Sequence, residues 1–291
     1  MSVANKSITF LLLAFALSWA IAIGGHYSGA AETIGPMVIL FAMMTGPAIA
    51  AAICAIVFEK GRRVAALGLP FRPNLWWLWS WLVPLAIAAA SVGLTLLLSG
   101  RHIVDVDAAL IASVAQQSPD QAEQLRAIPH LGLIQIAVAI TLGALINAPI
   151  LTLTEELGWR GYLHDLWRRF GFWRCSLATG LVWGLWHAPA VYLYGLNYPG
   201  QPLLGIALFT LYCMLLSPLL TFVRDRGGAT WAAGIFHGTI NAVGSITLLV
   251  LSDPVFPWNG IVGIGGFLAL ATAVMAILIL QRTPPKPAPS P

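Results

Sequence analysis

Residues 133–153 read LIQIAVAITLGALINAPILTL and carry no charged side chain, and residues 154–160 then continue as TEELGWR. An apolar stretch of about 20 residues can cross the hydrocarbon core of a bilayer as a helix, because each residue rises about 1.5 Å. Two glutamates and an arginine directly after such a stretch are costly in a membrane, so they mark candidate functional groups. These neighbouring segments predict a membrane helix with polar chemistry at its end.

Similar apolar stretches recur along all 291 residues, of which 58% are hydrophobic and 9% charged. The mean hydropathy is +0.83, and a soluble domain needs far more charge to cover its surface. Backbone polar groups must be satisfied within lipid, and no barrel-type alternation occurs. We therefore predict an all-α, polytopic membrane helix bundle with about eight transmembrane helices. Hydropathy places the helices at 8–24, 34–58, 76–98, 133–153, 175–195, 203–222, 229–251 and 260–281.

The basic residues orient these spans. With a cytoplasmic N-terminus, 13 of the 15 basic residues fall in cytoplasmic segments, and only Arg101 and Arg126 fall outside. This bias follows the positive-inside rule, so both termini are predicted to be cytoplasmic. The net charge of +4 is scattered over these segments, which predicts contact with the lipid bilayer and no nucleic-acid partner. The 13 residues are Lys6, Lys60, Arg62, Arg63, Arg72, Arg160, Arg168, Arg169, Arg174, Arg224, Arg226, Arg282 and Lys286.

The organisation of the chain is simple. One membrane-embedded domain is predicted over residues 1–282, in a multi-pass protein of the cell membrane. Residues 283–291, TPPKPAPSP, are too rich in proline to fold and are predicted to be a disordered tail.

Three sets of polar residues lie inside the predicted spans or at their ends. Glu156 and Arg160 are four residues apart in the order that favours a helical ion pair, which leaves Glu155 free for other work. Since all three helices enter from the cytoplasmic side, the sets are expected to meet in one cavity that faces the cytoplasm. The sets are Glu155, Glu156 and Arg160; His187; and His237 with Asn241 one helical turn later.

The order and spacing of these residues resemble the CPBP family of intramembrane proteases. That family includes the type II CAAX prenyl endopeptidases and the Abi proteins linked to bacteriocin processing and immunity. Trp183 stands where the family more often has phenylalanine. The matching motifs lie within 155–241 and are Glu155-Glu156-x-x-x-Arg160, Trp183-x-x-x-His187 and His237-x-x-x-Asn241.

The resemblance implies a role for each matching position. Glu155 with His187 would activate a water molecule for attack on a peptide carbonyl. His237 and Asn241 would hold the oxyanion that develops, as preorganised donors do in peptide hydrolysis. Glu155, His187 and His237 are also a feasible set of ligands for zinc. A metal-free glutamate mechanism uses the same residues, so the sequence leaves the metal question open.

The supporting residues complete this prediction. Glu156 and Arg160 would fix the geometry of the site, and Trp183 would line the cavity. The predicted function is an intramembrane endopeptidase, of the metallo or glutamate type, that cleaves a membrane-associated peptide or lipidated protein. One alternative is a non-catalytic membrane protein that binds a peptide or confers bacteriocin immunity. A second is a proton-coupled transporter that uses the same buried groups as a relay.

Overall fold

The computed structural model describes residues 1–116 and 118–282, and the predicted tail at 283–291 lies outside them. The secondary structure of the described residues is helical, with one isolated bridge between Ile103 and Leu251 and no strand. The all-α prediction is therefore confirmed. The α-helices are α1 Val3–Tyr27, α2 Ala30–Ile34, α3 Pro36–Met44, α4 Gly46–Phe58, α5 Arg63–Ala66, α6 Leu75–Ser99, α7 Val106–Ala115, α8 Pro119–Leu125, α9 Leu131–Val138, α10 Ala144–Leu151, α11 His164–Trp167, α12 Phe172–Trp186, α13 Ala188–Tyr194, α14 Pro202–Gly227, α15 Thr230–Leu249 and α16 Ile264–Arg282.

Two π-helical segments, Ala139–Gly143 and Thr152–Leu163, join α9, α10 and α11 into one long helix, which a 3-10 turn at Arg168–Phe170 ends. Within the described residues, seven helical segments are long and apolar enough to cross a membrane, as expected of an integral multi-pass membrane protein. The seven are Val3–Tyr27, Pro36–Phe58, Leu75–Ser99, Leu131–Phe170, Pro202–Gly227, Thr230–Leu249 and Ile264–Gln281.

The remaining predicted span, 175–195, is divided into two shorter helices. Helix α12 ends at Trp186 and α13 begins at Ala188, so the break falls on His187. Pro189 explains the break, because it has no N–H to donate to the carbonyl four residues earlier and its ring crowds that carbonyl.

One end of the bundle, here called the basic end, comprises the segments 59–74, 164–174 and 224–229. Lys6 Nζ lies 2.6 Å from Glu59 Oε1 at this end, and Arg62 Nη2 lies 2.6 Å from Asp165 Oδ2. The Thr230 amide donates to the carbonyl of residue 68 at 2.8 Å. These contacts show that the cationic connections predicted to be cytoplasmic do meet on one side of the bundle.

The opposite end, here called the far end, comprises the segments 28–35, 100–130, 195–201 and 250–263. Arg101 Nε donates to the carbonyl of Asp253 at 2.7 Å, and the Ser252 amide donates to the carbonyl of residue 102 at 3.0 Å. Asn259 Nδ2 donates to the carbonyl of Asn197 at 3.1 Å. The far-end connections are therefore also held together by hydrogen bonds.

Close helix packing positions the central part of the bundle. A Cβ atom at Gly238 in α15 would lie 2.6 Å from the Ala148 amide nitrogen of α10. A Cβ atom at Gly184 in α12 would lie 2.5 Å from the Thr210 Cα of α14. Small residues allow such approach in lipid, where van der Waals packing drives much of the association between helices. These two contacts hold α10, α15, α12 and α14 around the predicted site.

Candidate active site

The two glutamates lie in the π-helical segment Thr152–Leu163, whose hydrogen bonds run to the fifth residue back. The hydroxyls of Thr152 and Thr154 each donate at 2.7 Å to a carbonyl four residues earlier, Ala148 and Ile150 respectively. These side chains compete with the backbone amides that an α-helix would pair with the same oxygens. The wider turn presents neighbouring positions to different partners, and π-helical turns frequently occur at functional sites.

Glu156 contacts two side chains, those of Arg160 and His237. Its Oε1 atom lies 3.2 Å from Arg160 Nη1 and 2.8 Å from His237 Nδ1. Glu156 and Arg160 are both fully buried. The ion pair expected from the i, i+4 spacing is therefore present, and it also fixes the ring of His237. Because a carboxylate only accepts hydrogen bonds, His237 Nδ1 must donate in this contact.

Glu155 has a different environment from its neighbour. Its side chain is 3% exposed and lines a cavity, and its Oε2 atom accepts a 2.8 Å hydrogen bond from Trp183 Nε1. The Trp183 ring also lies 4.4 Å from Arg160 Cζ, in a cation–π contact. The indole thus connects the cavity carboxylate to the buried ion pair.

His187 occupies the break between α12 and α13. Its Nδ1 atom lies 2.9 Å from the carbonyl oxygen of Trp183, so Nδ1 carries the proton that is donated. This leaves Nε2 of a neutral ring as an acceptor. The ring packs against Trp183, Trp186 and Phe209 at centroid distances of 5.7, 4.6 and 4.7 Å.

A cavity of about 390 Å³ brings the predicted residues together. Glu155, His187, His237 and Asn241 all line it, as does Trp183. The other walls are largely apolar and include the side chains of Met37, Leu40, Met43, Met44, Trp186, Phe209, Tyr212, Leu216 and Ile240. Glu156 and Arg160 lie outside the lining and reach it only through His237 and Trp183. The cavity therefore presents one carboxylate and two imidazoles in an apolar surrounding.

The cavity continues from the predicted site residues towards the far end. Its lining continues from Glu155 past Leu248 of α15 to residues 196, 197, 259, 261 and 262, all in far-end connections. The opening of the site towards the cytoplasm stays a prediction. The fourth helix does not end near residue 153 but continues to Phe170.

The same groups can be tested for a metal ion. Across residues 1–116 and 118–282, no three His, Cys, Asp or Glu side chains are arranged to share one metal ion. Glu155, His187 and His237 line one cavity, and each imidazole uses Nδ1 for another partner, which leaves Nε2 as its potential ligand atom. In this arrangement the three side chains do not form a metal-binding set.

Some features of the site are absent from the motif pattern. The indole donor to Glu155 comes from Trp183, which is 28 positions away along the chain. The i, i+4 spacing from Trp183 to His187 predicted only that the two rings lie side by side. Met37, Met43 and Met44 of α3 also line the cavity, and nothing in the sequence distinguishes this segment from an ordinary apolar span.

Comparisons with known proteins agree with the motif. Residues 135–243 match the model of the family described as type II CAAX prenyl endopeptidase Rce1-like. CAAX prenyl protease 2 of Methanococcus maripaludis is 37% identical over 59 residues, a match that covers 15% of this chain and 22% of that relative. The resemblance predicted from the motifs is therefore confirmed. The chain covers less than a quarter of the curated relative that it matches, and all the predicted site residues fall within 135–243.

Proposed function

We propose that this protein is an intramembrane endopeptidase that hydrolyses a peptide bond in a membrane-associated peptide or lipidated protein. The observation that carries the proposal is the single cavity shared by Glu155, His187, His237 and Asn241. It holds a lone carboxylate, an imidazole from the break between α12 and α13, and an imidazole and an amide from α15. The match to a family of endopeptidases supports the same reaction class.

In the proposed reaction, Glu155 removes a proton from a water molecule while the water oxygen attacks the peptide carbonyl carbon. His187 Nε2 is free to accept a second hydrogen bond from that water. The C–N bond then breaks, and Glu155 returns the proton to the departing amine. General-base assistance of this kind contributes about 10²–10⁴-fold to a rate.

The carbonyl oxygen becomes negatively charged when water adds. The Asn241 amide can donate to it directly, and His237 can donate through Nε2 once that atom also carries a proton. Glu156 accepts from Nδ1 of the same ring at 2.8 Å and also pairs with Arg160. Glu156 and Arg160 therefore act by positioning His237.

The proposal places the protein in the cell membrane with both termini in the cytoplasm, a topology supported by the distribution of basic residues. Whether a metal ion takes part belongs to the same proposal. Within the described residues, no three ligating side chains are arranged to share one metal ion, and this arrangement favours the metal-free glutamate mechanism.

The test is peptide cleavage by purified protein in detergent, with a library of apolar and prenylated peptides. Glu155→Gln keeps the shape of the side chain but removes the base, so kcat should fall by about 10²–10⁴-fold. Glu123→Gln is the matched control, since this glutamate is 75% exposed in α8 and its ion pair among the described residues is with Arg126. Equal activity of a folded Glu155→Gln variant and the parent would refute the role of Glu155. Saturable binding of peptides without cleavage would instead support the non-catalytic alternative.

A further inference from the structure

Helix α14 lines the cavity but supplies no residue to the proposed reaction. It presents Phe209, Tyr212 and Leu216 to the cavity. These positions are three and four residues apart, so their side chains lie on one face of the helix. Two of the three side chains are apolar, whereas Tyr212 carries a hydroxyl. The wall formed by α14 therefore contains one polar group that the reaction leaves unused.

The ring of Tyr212 is held in a fixed position by its neighbours. It stacks on Phe209 with a centroid distance of 5.6 Å and an interplanar angle of 25°. Phe209 in turn packs against the ring of His187 at 4.7 Å. Tyr212 is only 6% exposed, so its ring has little room to rotate. The hydroxyl thus has a defined place in the same cavity as the candidate catalytic residues.

The hydroxyl of Tyr212 has no hydrogen-bond partner among the described residues. Tyr198 shows the contrast, because this second buried tyrosine donates its hydroxyl to the carbonyl of Val262 at 2.6 Å. The hydroxyl of a buried tyrosine usually finds a partner, and a buried donor without one costs free energy. Since the side chain lines a cavity, a bound molecule can supply the missing acceptor.

Other polar side chains of the lining, outside the proposed reaction, are less suited to this role. Ser245 donates its hydroxyl to the carbonyl of Ala242 at 3.2 Å. Asn259 Nδ2 donates to the carbonyl of Asn197, and the Asn197 side chain is exposed. Tyr212 is therefore the buried donor that remains available in the cavity.

A peptide bound in the cavity supplies acceptors of the required kind. An extended segment carries a carbonyl at every residue, and the proposed reaction engages the one at the scissile bond. Each neighbouring carbonyl loses water when it enters an apolar cavity, which is costly unless a protein donor replaces that water. A phenol hydroxyl donates one hydrogen bond and so satisfies one such carbonyl.

Resting on the proposed peptidase function, we propose that Tyr212 is a substrate-binding residue. Its hydroxyl donates a hydrogen bond to the carbonyl of a peptide unit that flanks the scissile bond. This contact fixes the position of the peptide along the cavity, so that one particular carbonyl carbon lies beside Glu155. Because the contact is made to the main chain, it contributes to binding for peptides with different side chains.

Peptide binding to Glu155→Gln tests this contact without any requirement for cleavage. The probe is the uncharged library peptide that binds this variant most tightly, labelled with a fluorophore. Tyr212→Phe is then added to Glu155→Gln, which removes one oxygen atom and keeps the ring. Tyr192→Phe in the same background is the matched control, since Tyr192 is 54% exposed on α13 and does not line the cavity.

We expect Tyr212→Phe to raise the Kd of the peptide by about 2- to 13-fold, as the loss of one neutral hydrogen bond predicts. Tyr192→Phe should leave the Kd unchanged. A second set of probes replaces each peptide unit in turn by an uncharged alkene isostere, which lacks the carbonyl. With the isostere at the unit that accepts from Tyr212, the Tyr212→Phe substitution should no longer change the Kd. A purely structural role of Tyr212 would not produce this dependence.

Three outcomes would overturn the proposal. One is an equal Kd with and without Tyr212→Phe, and another is a similar loss of affinity with every isostere, which would indicate altered packing. The third is the absence of saturable binding of any library peptide to Glu155→Gln. Cleavage by the parent is measured separately. Absence of cleavage together with a Kd that depends on the Tyr212 hydroxyl would refute the peptidase function and retain Tyr212 as a peptide-binding residue.

Discussion

Replacing Trp183 by phenylalanine removes one N–H group from the candidate site while retaining an aromatic ring. In the parent, that N–H donates to Glu155 Oε2 at 2.8 Å between two buried side chains. The substitution leaves the carboxylate with one hydrogen bond fewer and freer to rotate. Since Glu155 is the proposed base, its orientation towards water should deteriorate.

The expected magnitude follows from the charge of the acceptor. A hydrogen bond to a charged group contributes about 1.5–3 kcal/mol. If the whole of this is lost in the transition state, then kcat falls by about 10- to 150-fold, at 1.36 kcal/mol for each factor of ten. KM should change much less, because the cavity keeps its aromatic wall.

Trp186→Phe is a matched control for the loss of volume. Trp186 is 1% exposed and lines the same cavity, but its Nε1 atom has no hydrogen-bond partner among the described residues. Both variants remove the same atoms, and only Trp183→Phe removes a hydrogen bond. Steady-state cleavage of one peptide by the parent and both variants separates the two effects. Equal losses of kcat in the two variants would refute the assigned role of the indole, because packing alone would then account for the change.

Three further predictions concern stability and the metal. Burial raises the pKa of Glu59, but hydrogen bonds from Lys6 and Arg62 hold it below its ordinary value of 4.5. The ionised carboxylate therefore stabilises the folded protein above that pH, and this contribution is lost as the pH falls below it. In detergent, the Tm of the parent should therefore decrease as the pH falls, and the Tm of Glu59→Gln should decrease less. An equal decrease of Tm in both proteins would contradict this. Gly158→Ala should destabilise the fold by about 1–3 kcal/mol, because its Cβ would lie 2.7 Å from the Pro47 ring. Gly93→Ala is the control and should leave the free energy of unfolding unchanged, because a Cβ atom there has no neighbour within 4 Å. Chelators should leave the cleavage rate unchanged, and restoration of a lost rate by added zinc would argue for a metal enzyme.

The helical architecture was largely predictable from the sequence. Uninterrupted apolar runs of membrane length permit few alternatives, because the backbone must satisfy its own hydrogen bonds in lipid. The break at His187 was the main departure, and its signal was Pro189, two residues later. A proline in a membrane span can bend a helix or divide it, and hydropathy does not distinguish the two outcomes.

The site was predictable as a set of residues but not as a geometry. The spacing from Glu156 to Arg160 suits an ion pair in an α-helix and is also compatible with the π-helical segment that is present. The sequence predicted the end of the fourth span less accurately than it predicted the site residues. Hydropathy ended the fourth span near residue 153, because glutamates and an arginine follow, yet the helix continues to Phe170 with those charges paired inside.

The aromatic packing beside the candidate site bears on the passage of ions. A carboxylate and two imidazoles in a channel open at both ends would offer protons a relay from one compartment to the other. Phe10 packs against Trp159 and Tyr162 at centroid distances of 5.7 and 5.6 Å, and all three side chains are fully buried. None of the three lines the cavity that holds Glu155. A peptidase built on this cavity, as proposed, would hydrolyse its substrate beside a packed aromatic layer that restricts the movement of ions across the membrane.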